Sequence, residues 1–470
     1  MTLRFLDTLT GETRPFEPLR DDGVRIYSCG PTVYGPAHVG NFRSFLFADL
    51  LVRHLRWRGF PVTWVMNITD IDDKIIRGAA AAGTDIGTLA DRYLAAFVAD
   101  GAALRMTLPD SLPRATEHID DIVALIETLL ERGHAYRTDD GSIFFRIASW
   151  PAYGRLARLD PEQLRVGERV EADEYAKDDV RDFALWKGPK PGEPSWDTSI
   201  GPGRPGWHIE CSAMSMKALG PSFDIHTGGI DLIFPHHEDE IAQSEAATGE
   251  PFVGTWLHCA HLQMSGSKMA KSTGNIARVG DLLAAGVSAR ALRYTLIAVH
   301  YRASLNYSDD SLAAAAAAID RLDAALAALA TYREERADDP ELPAVLTSAR
   351  EAFGAALDDD LNVSAGLAAV FDLVRDLNRR IEARSLSTAD AAAAIATLRD
   401  VDQVLGILPD EETPLSAEAS TLLEARADAR AARDWAASDR LRDELLTLGI
   451  VVEDTRDGQR WRRASEVDHG

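Results

Sequence analysis

The alternation of apolar and polar residues predicts a strand–loop–helix–strand unit near the start of the chain. Val24–Ser28 is a short β-like run, and a turn-rich loop at 29–40 separates it from a helix that begins near Asn41. Apolar residues recur at helical spacing until Gly59, and a second buried strand follows at 61–68. Such a βαβ unit predicts a parallel sheet.

The next stretch of the chain has a different character. A helical pattern at Ile119–Arg132 and a β-like run at Gly141–Arg146 precede residues 150–205, which are rich in Pro, Gly and charge and show little periodicity. This composition predicts an insertion lying over the sheet. Regular patterning returns at Gly206–Cys211, and a glycine-rich, strand-like passage follows at Phe223–Asp231.

Beyond about residue 307 the pattern is that of a helical bundle. Ser308 can cap a helix, and a single apolar stripe follows it at helical spacing (Ile319, Leu322, Leu326 and Leu329). Three more helices are predicted at Ala344–Leu357, with Pro343 just ahead of it, at Val363–Arg384 and at Ala389–Leu405. A linker at 408–414 leads to a small mixed unit that ends in the β-like Val451–Trp461.

Composition limits the compartment and the partners. The 470 residues carry 50 Lys plus Arg against 74 Asp plus Glu, a formal charge of −24. This balance argues against non-specific coating of nucleic acid, which needs a basic surface. No apolar run reaches the roughly 18 residues of a membrane span, and the start resembles no secretory signal, so we expect a cytoplasmic protein that makes no membrane contact. Three cysteines are too few for a disulfide framework.

Side chains that can bind metal cluster near the middle of the chain. On a helix, His236 and Glu240 share a face at i, i+4, and His237 and Glu240 at i, i+3 could also converge. With Cys29 and Cys211 they form a possible zinc site. Cys211 is expected to open a helix, whose positive end favours a thiolate. The alternative is a solvated helix start and two core cysteines.

Two loops have the residues that an anionic ligand requires. The loop from Gly30 to Asn41 precedes a helix, so free N–H groups, His38 and the Asn41 amide could all donate to phosphate oxygens. A later loop carries Lys268 and Lys271 among Gly, Ser and Thr, which suits a polyphosphate. A structural histidine and an exposed surface loop are the respective alternatives.

Taken together, these segments resemble the class I aminoacyl-tRNA synthetases, and within that class the cysteinyl-tRNA synthetase family. The loop from Cys29 to Asn41 is similar to the family's HIGH signature with its leading zinc cysteine, and Lys268-Met-Ala-Lys271-Ser272 is similar to its KMSKS loop. Further blocks that are similar to the family lie at Asn67–Lys74, Gly203–Met214, Asp224–Glu240 and in the tail from Ala431 to Trp461.

The resemblance implies an α/β fold with a Rossmann-like parallel-sheet catalytic domain and an inserted connective segment. A helical bundle and a small mixed C-terminal anticodon-binding module would follow. The implied divisions are catalytic halves at 1–118 and 206–264, the connective insertion at 119–205, a KMSKS-type loop and stem-contact region at 265–307, a tRNA-binding bundle at 308–407 and the anticodon module at 415–463.

The resemblance also implies a set of site residues. One Zn²⁺ is expected on Cys29, Cys211, His236 and Glu240, with His237 outside the ligand set. A metal held by thiolates would favour the sulfur of cysteine over the hydroxyl of serine. Positions around the family's cysteine pocket match Thr69, Trp207 and His226. Positions that would contact ATP, with its Mg²⁺, match His38, Gly40, Asn41, Asp231 and Lys271.

The implied reaction activates L-cysteine with ATP to cysteinyl-adenylate and transfers it to the 3′-terminal adenosine of tRNA(Cys), on a monomeric enzyme. His38 and Asn41 would stabilise the phosphate charge, while Lys268 and Lys271 would stabilise the pyrophosphate. Two positions depart from the signatures. Asn41 replaces the last histidine of HIGH, and Ala270 replaces the central serine of KMSKS.

Two alternative functions stay open at this point. One is a tRNA-independent cysteine ligase of the mycothiol-pathway type, which shares the catalytic domain but lacks the bundle and the terminal module. The other is a catalytically silent, synthetase-like regulator, which the two departures from the signatures would explain.

Overall fold

A computed structural model describes residues 2–159, 181–264, 267–268, 277–410, 417–448, 450–455 and 458–463. The chain divides into two compact units, Met1–Leu408 and Pro409–Gly470. Each unit is considered by itself below.

The strands and helices of the first unit are numbered in chain order. The strands are β1 (Arg4–Asp7), β2 (Glu12–Pro15), β3 (Val24–Ser28), β4 (Val62–Met66), β5 (Ala135–Arg137), β6 (Ile143–Phe145), β7 (Phe183–Lys187), β8 (Arg204–Pro205), β9 (Phe223–Gly229), β10 (Val253–Cys259), β11 (Leu262–Met264), β12 (Ser267–Lys268) and β13 (Leu305–Tyr307). The helices are α1 (Val39–Trp57), α2 (Asp73–Ala82), α3 (Ile86–Ala103), α4 (Ile119–Glu131), α5 (Trp207–Leu219), α6 (Glu238–Thr248), α7 (Val279–Ala284), α8 (Ala289–Ile297), α9 (Asp309–Thr331), α10 (Leu342–Asp358), α11 (Val363–Glu382) and α12 (Thr388–Leu405).

A four-stranded parallel sheet organises the first unit. Its strand order is β10-β9-β3-β4, and every pair of neighbours is parallel. The predicted βαβ unit is confirmed, because α1 connects β3 to β4. Ile26, Trp64 and Ile225 are fully buried, as expected for a parallel sheet that is covered on both faces. Chain segments that leave the carboxyl ends of these strands therefore meet along one edge of the sheet.

A second sheet of four antiparallel strands, in the order β5-β6-β7-β8, lies within residues 135–205. The sequence pattern misses β7, which falls in the stretch with little periodicity. The first four residues of this strand are all buried, so no alternation of apolar and polar positions marks it. Trp186 and Phe145 pack with Ile126 of α4 and Ile209 of α5 in a separate hydrophobic cluster.

The helical bundle forms largely where the sequence pattern predicts it. Ser308 caps α9 by accepting a hydrogen bond from the Ser311 N–H, and α10, α11 and α12 begin and end within a few residues of their predicted bounds. The predicted apolar stripe of α9 is buried (Ile319, Leu322, Leu326 and Leu329). Pro343 lies inside the first turn of α10 rather than ahead of it. Among the described helices, none has the length and apolarity that crossing a bilayer requires.

Buried ion pairs connect α1 to α8 and to α10 of the bundle. Asp49 of α1 accepts hydrogen bonds from Arg293 of α8 at 2.7 Å and from Arg53 at 2.9 Å, and the side chains of Asp49 and Arg293 are inaccessible to solvent. At the residue after Arg53, His54 Nε2 lies 3.0 Å from Oδ1 of Asp358 at the end of α10. These contacts fix the carboxyl-terminal half of α1 against the bundle.

The second unit is a small α/β module. Helices α13 (Ala417–Ala431) and α14 (Trp435–Thr447) precede an antiparallel hairpin of β14 (Ile450–Thr455) and β15 (Gly458–Arg463). The predicted β-like ending is confirmed. Arg426, which is almost fully buried, donates to Asp454 at 3.0 Å and so connects α13 to the hairpin.

We expect Asp49→Asn to lower the free energy of unfolding by about 3–5 kcal/mol, because it leaves the Arg293 guanidinium buried without a counter-charge. Urea unfolding monitored by circular dichroism measures the change. Asp372→Asn, which removes a solvent-exposed pair with Arg375, is the matched control and should cost less than about 1 kcal/mol. Equal losses in the two variants would contradict this account of the α1–bundle contact.

Candidate functional site

Four side chains that can ligate a metal converge beyond the carboxyl end of β3. Cys29 follows β3, Cys211 lies on α5, His236 precedes α6 and Glu240 lies on α6. The two Sγ atoms are 4.0 Å apart, and Glu240 Oε1 lies 3.6 Å from Cys29 Sγ and 3.0 Å from His236 Nε2. All four donor atoms lie within 4.8 Å of one another. The structure thus forms a possible metal-binding site.

A second, overlapping set of donors shares two of these residues. His237 Nε2 lies 3.2 Å from Cys29 Sγ, and His226 Nε2 lies 2.9 Å from Glu240 Oε2. Cys29, His226, His237 and Glu240 therefore also form a group that could hold an ion. The resemblance leaves His237 outside the ligand set and assigns His226 to the substrate pocket, whereas the structure brings both against the cluster.

Mutual contacts set the charge state of the cluster. Burial opposes ionisation of Glu240, but His226 and His236 lower the pKa of its carboxyl to about 2. Burial likewise opposes protonation of His236, but Glu240 and Cys211 raise its pKa to about 10. A hydrogen bond with Cys29 lowers the pKa of Cys211 to about 6. Together these shifts favour a carboxylate, one thiolate and one imidazolium, which leaves the cluster with a net negative charge that suits a cation.

The expectation that Cys211 opens a helix is wrong. Cys211 is the fifth residue of α5, which begins at Trp207. Its N–H is therefore hydrogen-bonded within the helix, and the positive helix end lies a full turn away. The main cause of its lowered pKa is the hydrogen bond with Cys29.

Further histidines surround the donors, and sequence reasoning missed them. His208 Nδ1 lies 2.8 Å from His236 Nδ1, and His258 Nε2 lies 2.8 Å from His237 Nδ1. The position of His208 three residues before Cys211 could have indicated it. Nothing in the local pattern indicates His258, because only the pairing of β10 with β9 brings it to the site.

Glu238, at the start of α6, binds a segment of the connective insertion. Glu238 is buried and accepts the backbone N–H groups of Gly154, Leu156 and Ala157 at 2.8–3.0 Å. Three N–H donors on one carboxylate form a strong, charge-assisted anchor. The same turn of α6 that carries Glu240 is therefore fixed to residues 154–157.

Of the residues assigned to the cysteine pocket, Trp207 and His226 contact the cluster directly. The ring of Trp207 is 40% exposed and stacks on His236 with a centroid distance of 4.4 Å. Thr69 is buried, and its hydroxyl accepts a hydrogen bond from the Asn67 amide at 3.1 Å. Gly30 packs closely here, since a Cβ at this position would lie 1.8 Å from the Asn67 carbonyl oxygen.

His38 and Asn41 form the N-terminal cap of α1. The His38 side chain accepts a hydrogen bond from the Asn41 N–H at 3.2 Å, and the Asn41 side-chain oxygen accepts one from the His38 N–H at 3.1 Å. This reciprocal pair is a capping box. Asn41, which departs from the HIGH signature, thus has a structural use for its amide oxygen and keeps its amide nitrogen as a donor.

The first turn of α1 also contacts both stems of the cationic loop. On the entry side, Leu262 of β11 lies next to Gly40, and on the exit side the Val39 N–H donates to the Ala277 carbonyl at 3.0 Å. The backbone of Lys268 lies in β12, which pairs with β11. Lys271 and Ala270 lie outside the described residues.

Asp231 lies on a 3₁₀ turn after β9, at the same edge of the sheet. Its side chain is 61% exposed, and its Oδ1 atom is 3.9 Å from His261 Nδ1. Gly229 precedes it, and a Cβ there would lie 2.5 Å from Asp231 Oδ1. The carboxylate therefore faces the open side of the site.

Comparison with known proteins identifies relatives along the whole chain. Residues 15–317 match the family described as tRNA synthetases class I (C) catalytic domain. Residues 352–409 match the DALR domain, and residues 412–462 match the cysteinyl-tRNA ligase anticodon binding domain. The cysteine–tRNA ligase of Solibacter usitatus is 47% identical over 466 residues, which cover 98% of this chain and 100% of that protein. That of Symbiobacterium thermophilum is 46% identical over 474 residues, or 99% and 100%.

Solved structures of lower identity share the fold. Mycobacterium tuberculosis methionyl-tRNA synthetase with methionyl-adenylate is 19% identical, with a TM-score of 0.57 over 88% of this chain and 96% of that one. A ternary complex of Agrobacterium radiobacter LeuRS with tRNA and LeuAMS is 11% identical, with a TM-score of 0.60 over 83% and 85%.

We expect Asn41→Ala to weaken the cap of α1, since it removes the acceptor of the His38 N–H. The loss of about 0.5–1 kcal/mol should make the His38 amide exchange roughly two to five times faster, as measured by hydrogen–deuterium exchange. Asn41→Asp keeps the acceptor oxygen and should retain protection. If Asn41→Ala left His38 exchange unchanged, the capping role would be wrong.

Proposed function

The chain belongs to the class I cysteinyl-tRNA synthetases, and from this premise we propose that it activates L-cysteine with ATP and transfers it to the 3′-terminal adenosine of tRNA(Cys). The convergence of Cys29, Cys211, His236 and Glu240 beside the first turn of α5 carries the proposal. Relatives that match from end to end and the anticodon-binding match support tRNA as the acceptor.

Zinc is the ion that this donor set fits best. Thiolate, imidazole and carboxylate groups are all zinc ligands, and two sulfurs bound tetrahedrally at about 2.3 Å would lie about 3.8 Å apart. The separation of 4.0 Å between Cys29 Sγ and Cys211 Sγ is close to this value. When bound, the zinc ion supplies a soft Lewis acid that prefers a thiolate to a hydroxyl.

We assign the ligands to Cys29, Cys211, His236 and Glu240, rather than to the overlapping set. Glu240 Oε1 faces both Cys29 and His236, whereas its Oε2 atom is occupied by His226. His237 is held by His258 through its other ring nitrogen. In this assignment His226 and His237 orient ligands instead of acting as ligands, which agrees with the need of metal sites for supporting hydrogen bonds.

The substrate cysteine would occupy the space between the cluster and Trp207. Trp207 covers His236 on the open side. Thr69 and His226 would line the pocket that the family resemblance assigns to the amino acid. Cysteine and serine have similar shapes, so a pocket that matched shape alone would reject serine poorly. Contact between the metal and the substrate sulfur would supply the discrimination.

The first step is an in-line attack of the cysteine carboxylate on the α-phosphate of ATP, which releases pyrophosphate. His38, Gly40 and Asn41 lie at the amino terminus of α1, where the positive end of the helix dipole favours phosphate charge. Lys268 and Lys271 would neutralise the pyrophosphate together with Mg²⁺, and Asp231 would contact the nucleotide. Rate enhancement comes from positioning and charge stabilisation, so no nucleophilic side chain is required.

The second step is attack of the terminal adenosine hydroxyl of tRNA(Cys) on the adenylate. We propose that the region 265–307 contacts the acceptor stem, that the bundle 308–407 binds the tRNA and that the module 415–463 binds the anticodon. The family resemblance favours a monomeric enzyme. A role in protein synthesis puts it in the cytoplasm.

The function is tested by charging of a tRNA(Cys) transcript and by cysteine-dependent ATP–pyrophosphate exchange, with zinc quantified on the same sample. We expect both activities, about one zinc per chain, and strong preference for cysteine over serine. Cys211→Ser should lose most of the zinc and the cysteine preference. Cys259→Ser, which makes the same exchange at a buried cysteine outside both donor groups, is the control and should keep the metal.

Three outcomes would contradict the proposal in different ways. ATP–pyrophosphate exchange without tRNA charging would favour the tRNA-independent cysteine ligase. Absence of ATP–pyrophosphate exchange would favour the catalytically silent regulator. Unchanged metal content in Cys211→Ser would remove the zinc assignment alone.

We expect Lys271→Ala to slow adenylate formation by a hundredfold or more, in the range of other lost charge-stabilising contacts. Cysteine binding should change less than about threefold, because the lysine would act on pyrophosphate in the transition state. Single-turnover kinetics and cysteine titration measure the two effects. Lys190→Ala, in the connective segment, serves as a control with the same loss of charge. Equal losses in rate and in cysteine affinity would contradict the assigned role of Lys271.

A further inference from the structure

Arg43 of α1 is a buried cation whose acceptors are backbone carbonyls. Its side chain is 2% exposed, and Nε donates to the Ala260 carbonyl at 3.1 Å. Nη1 donates to Leu296 O at 3.3 Å, and Nη2 donates to His300 O at 3.3 Å and Ala303 O at 2.5 Å. Within the described chain, no carboxylate is in salt-bridge contact with Arg43. Four carbonyl oxygens balance this guanidinium in place of a counter-ion.

A second buried arginine nearby shows how unusual this arrangement is. Arg293 is also fully buried and donates to carbonyl oxygens, but it has the Asp49 carboxylate at 2.7 Å. Burying a charge is costly without such a partner. What Arg43 retains is geometry, because a planar guanidinium directs five N–H groups in fixed directions and can hold several oxygens in one arrangement.

Two of the four carbonyls that Arg43 holds, those of Ala260 and Ala303, belong to the base of the cationic loop, and the other two lie on or just after α8. Ala260 connects β10 to β11, the strand that leads into residues 265–276. Ala303 lies just before β13, which pairs in parallel with β11. The Ala260 N–H donates to Tyr301 O at 2.7 Å, and the Leu305 N–H donates to His261 O at 3.2 Å. Arg43 therefore braces both chain segments that form this base.

Arg43 projects from the helix whose first residues cap and line the proposed phosphate site. It lies two residues after Asn41 and four after Val39, and the Val39 N–H holds the Ala277 carbonyl on the exit side of the loop. One short stretch of α1 thus contacts the entry stem, the exit stem and the proposed ATP site.

We propose that Arg43 is a positioning residue for adenylate formation. It sets the base of the loop that carries Lys268 and Lys271 at a fixed distance and orientation from His38 and Asn41. The inference rests on the proposed function, since it concerns the ATP half of that reaction.

Arg43→Lys tests the inference, because it keeps the charge but loses the planar fork. We expect a tenfold or greater fall in kcat for ATP–pyrophosphate exchange and a several-fold rise in KM for ATP. KM for cysteine should stay within twofold of wild type, and zinc content should be unchanged. A general loss of folding would not produce this split between ATP and cysteine.

Two variants on other arginines act as controls. Arg293→Lys perturbs an equally buried guanidinium that contacts Asp49 and the bundle rather than the base of the loop. Arg56→Lys changes an arginine on the same helix as Arg43, whose ion pair with Asp110 is partly exposed. Both should keep the wild-type KM for ATP, even if Arg293→Lys lowers the urea midpoint. The inference is overturned if Arg43→Lys leaves exchange kinetics unchanged, or if it raises KM for cysteine as much as KM for ATP.

A measurement on the wild-type protein keeps the inference testable if Arg43→Lys does not fold. The amides of Ala260 and Leu305, which join the two segments braced by Arg43, should exchange with deuterium as slowly as the core strand β3. Exchange at the rate of surface loops would show that the base is not held, and would overturn the inference. Absence of exchange activity in the wild-type enzyme would instead refute the proposed function.

Discussion

Parallel pairing of β3 with β9 and of β9 with β10 is the constraint on which the site depends. In a parallel sheet the carboxyl ends of the strands lie at one edge, so residues far apart in sequence meet there. Cys29 follows β3, His226 lies in β9 and His258 in β10, while α5 and α6 bring Cys211 and Glu240 to the same edge. Without this pairing, the donor atoms of Cys29 and Glu240 would have no common position. The shifted pKa values of Glu240, His236 and Cys211 follow from this convergence, because neighbouring side chains of the site stabilise the charged form of each group.

Helix α1 joins two kinds of chemistry along its 19 residues. Its first turn is polar and open, with His38 and Asn41 capping each other and both stems of the cationic loop attached nearby. Its last turns are enclosed by the bundle through Asp49 and its neighbours. The helix is therefore held at both ends, by the stems of the cationic loop at its first turn and by α8 and the bundle at its last turns. Between these two ends, the Arg43 side chain connects α1 to the base of the cationic loop.

Local patterns could be predicted from the sequence, and long-range contacts could not. Helix α1, the βαβ unit and the cap at Ser308 depend on neighbours within a few residues, and these predictions are confirmed. Strand β7 was missed because a strand buried on both faces loses its alternation. Spacing alone left His236 and His237 equivalent partners for Glu240, and only the fold distinguishes the hydrogen bonds that each makes. Arg43 gave no signal at all, since its acceptors lie more than 200 residues further along the chain.

The anchor at Glu238 has an evolutionary consequence. Its carboxylate accepts hydrogen bonds from the backbone N–H groups at positions 154, 156 and 157. Adding or deleting one residue among these positions would move at least one N–H group out of hydrogen-bonding distance. Lineages can therefore lengthen or shorten the connective segment only on either side of this short register. These three hydrogen bonds attach the connective segment to α6, the helix that carries Glu240.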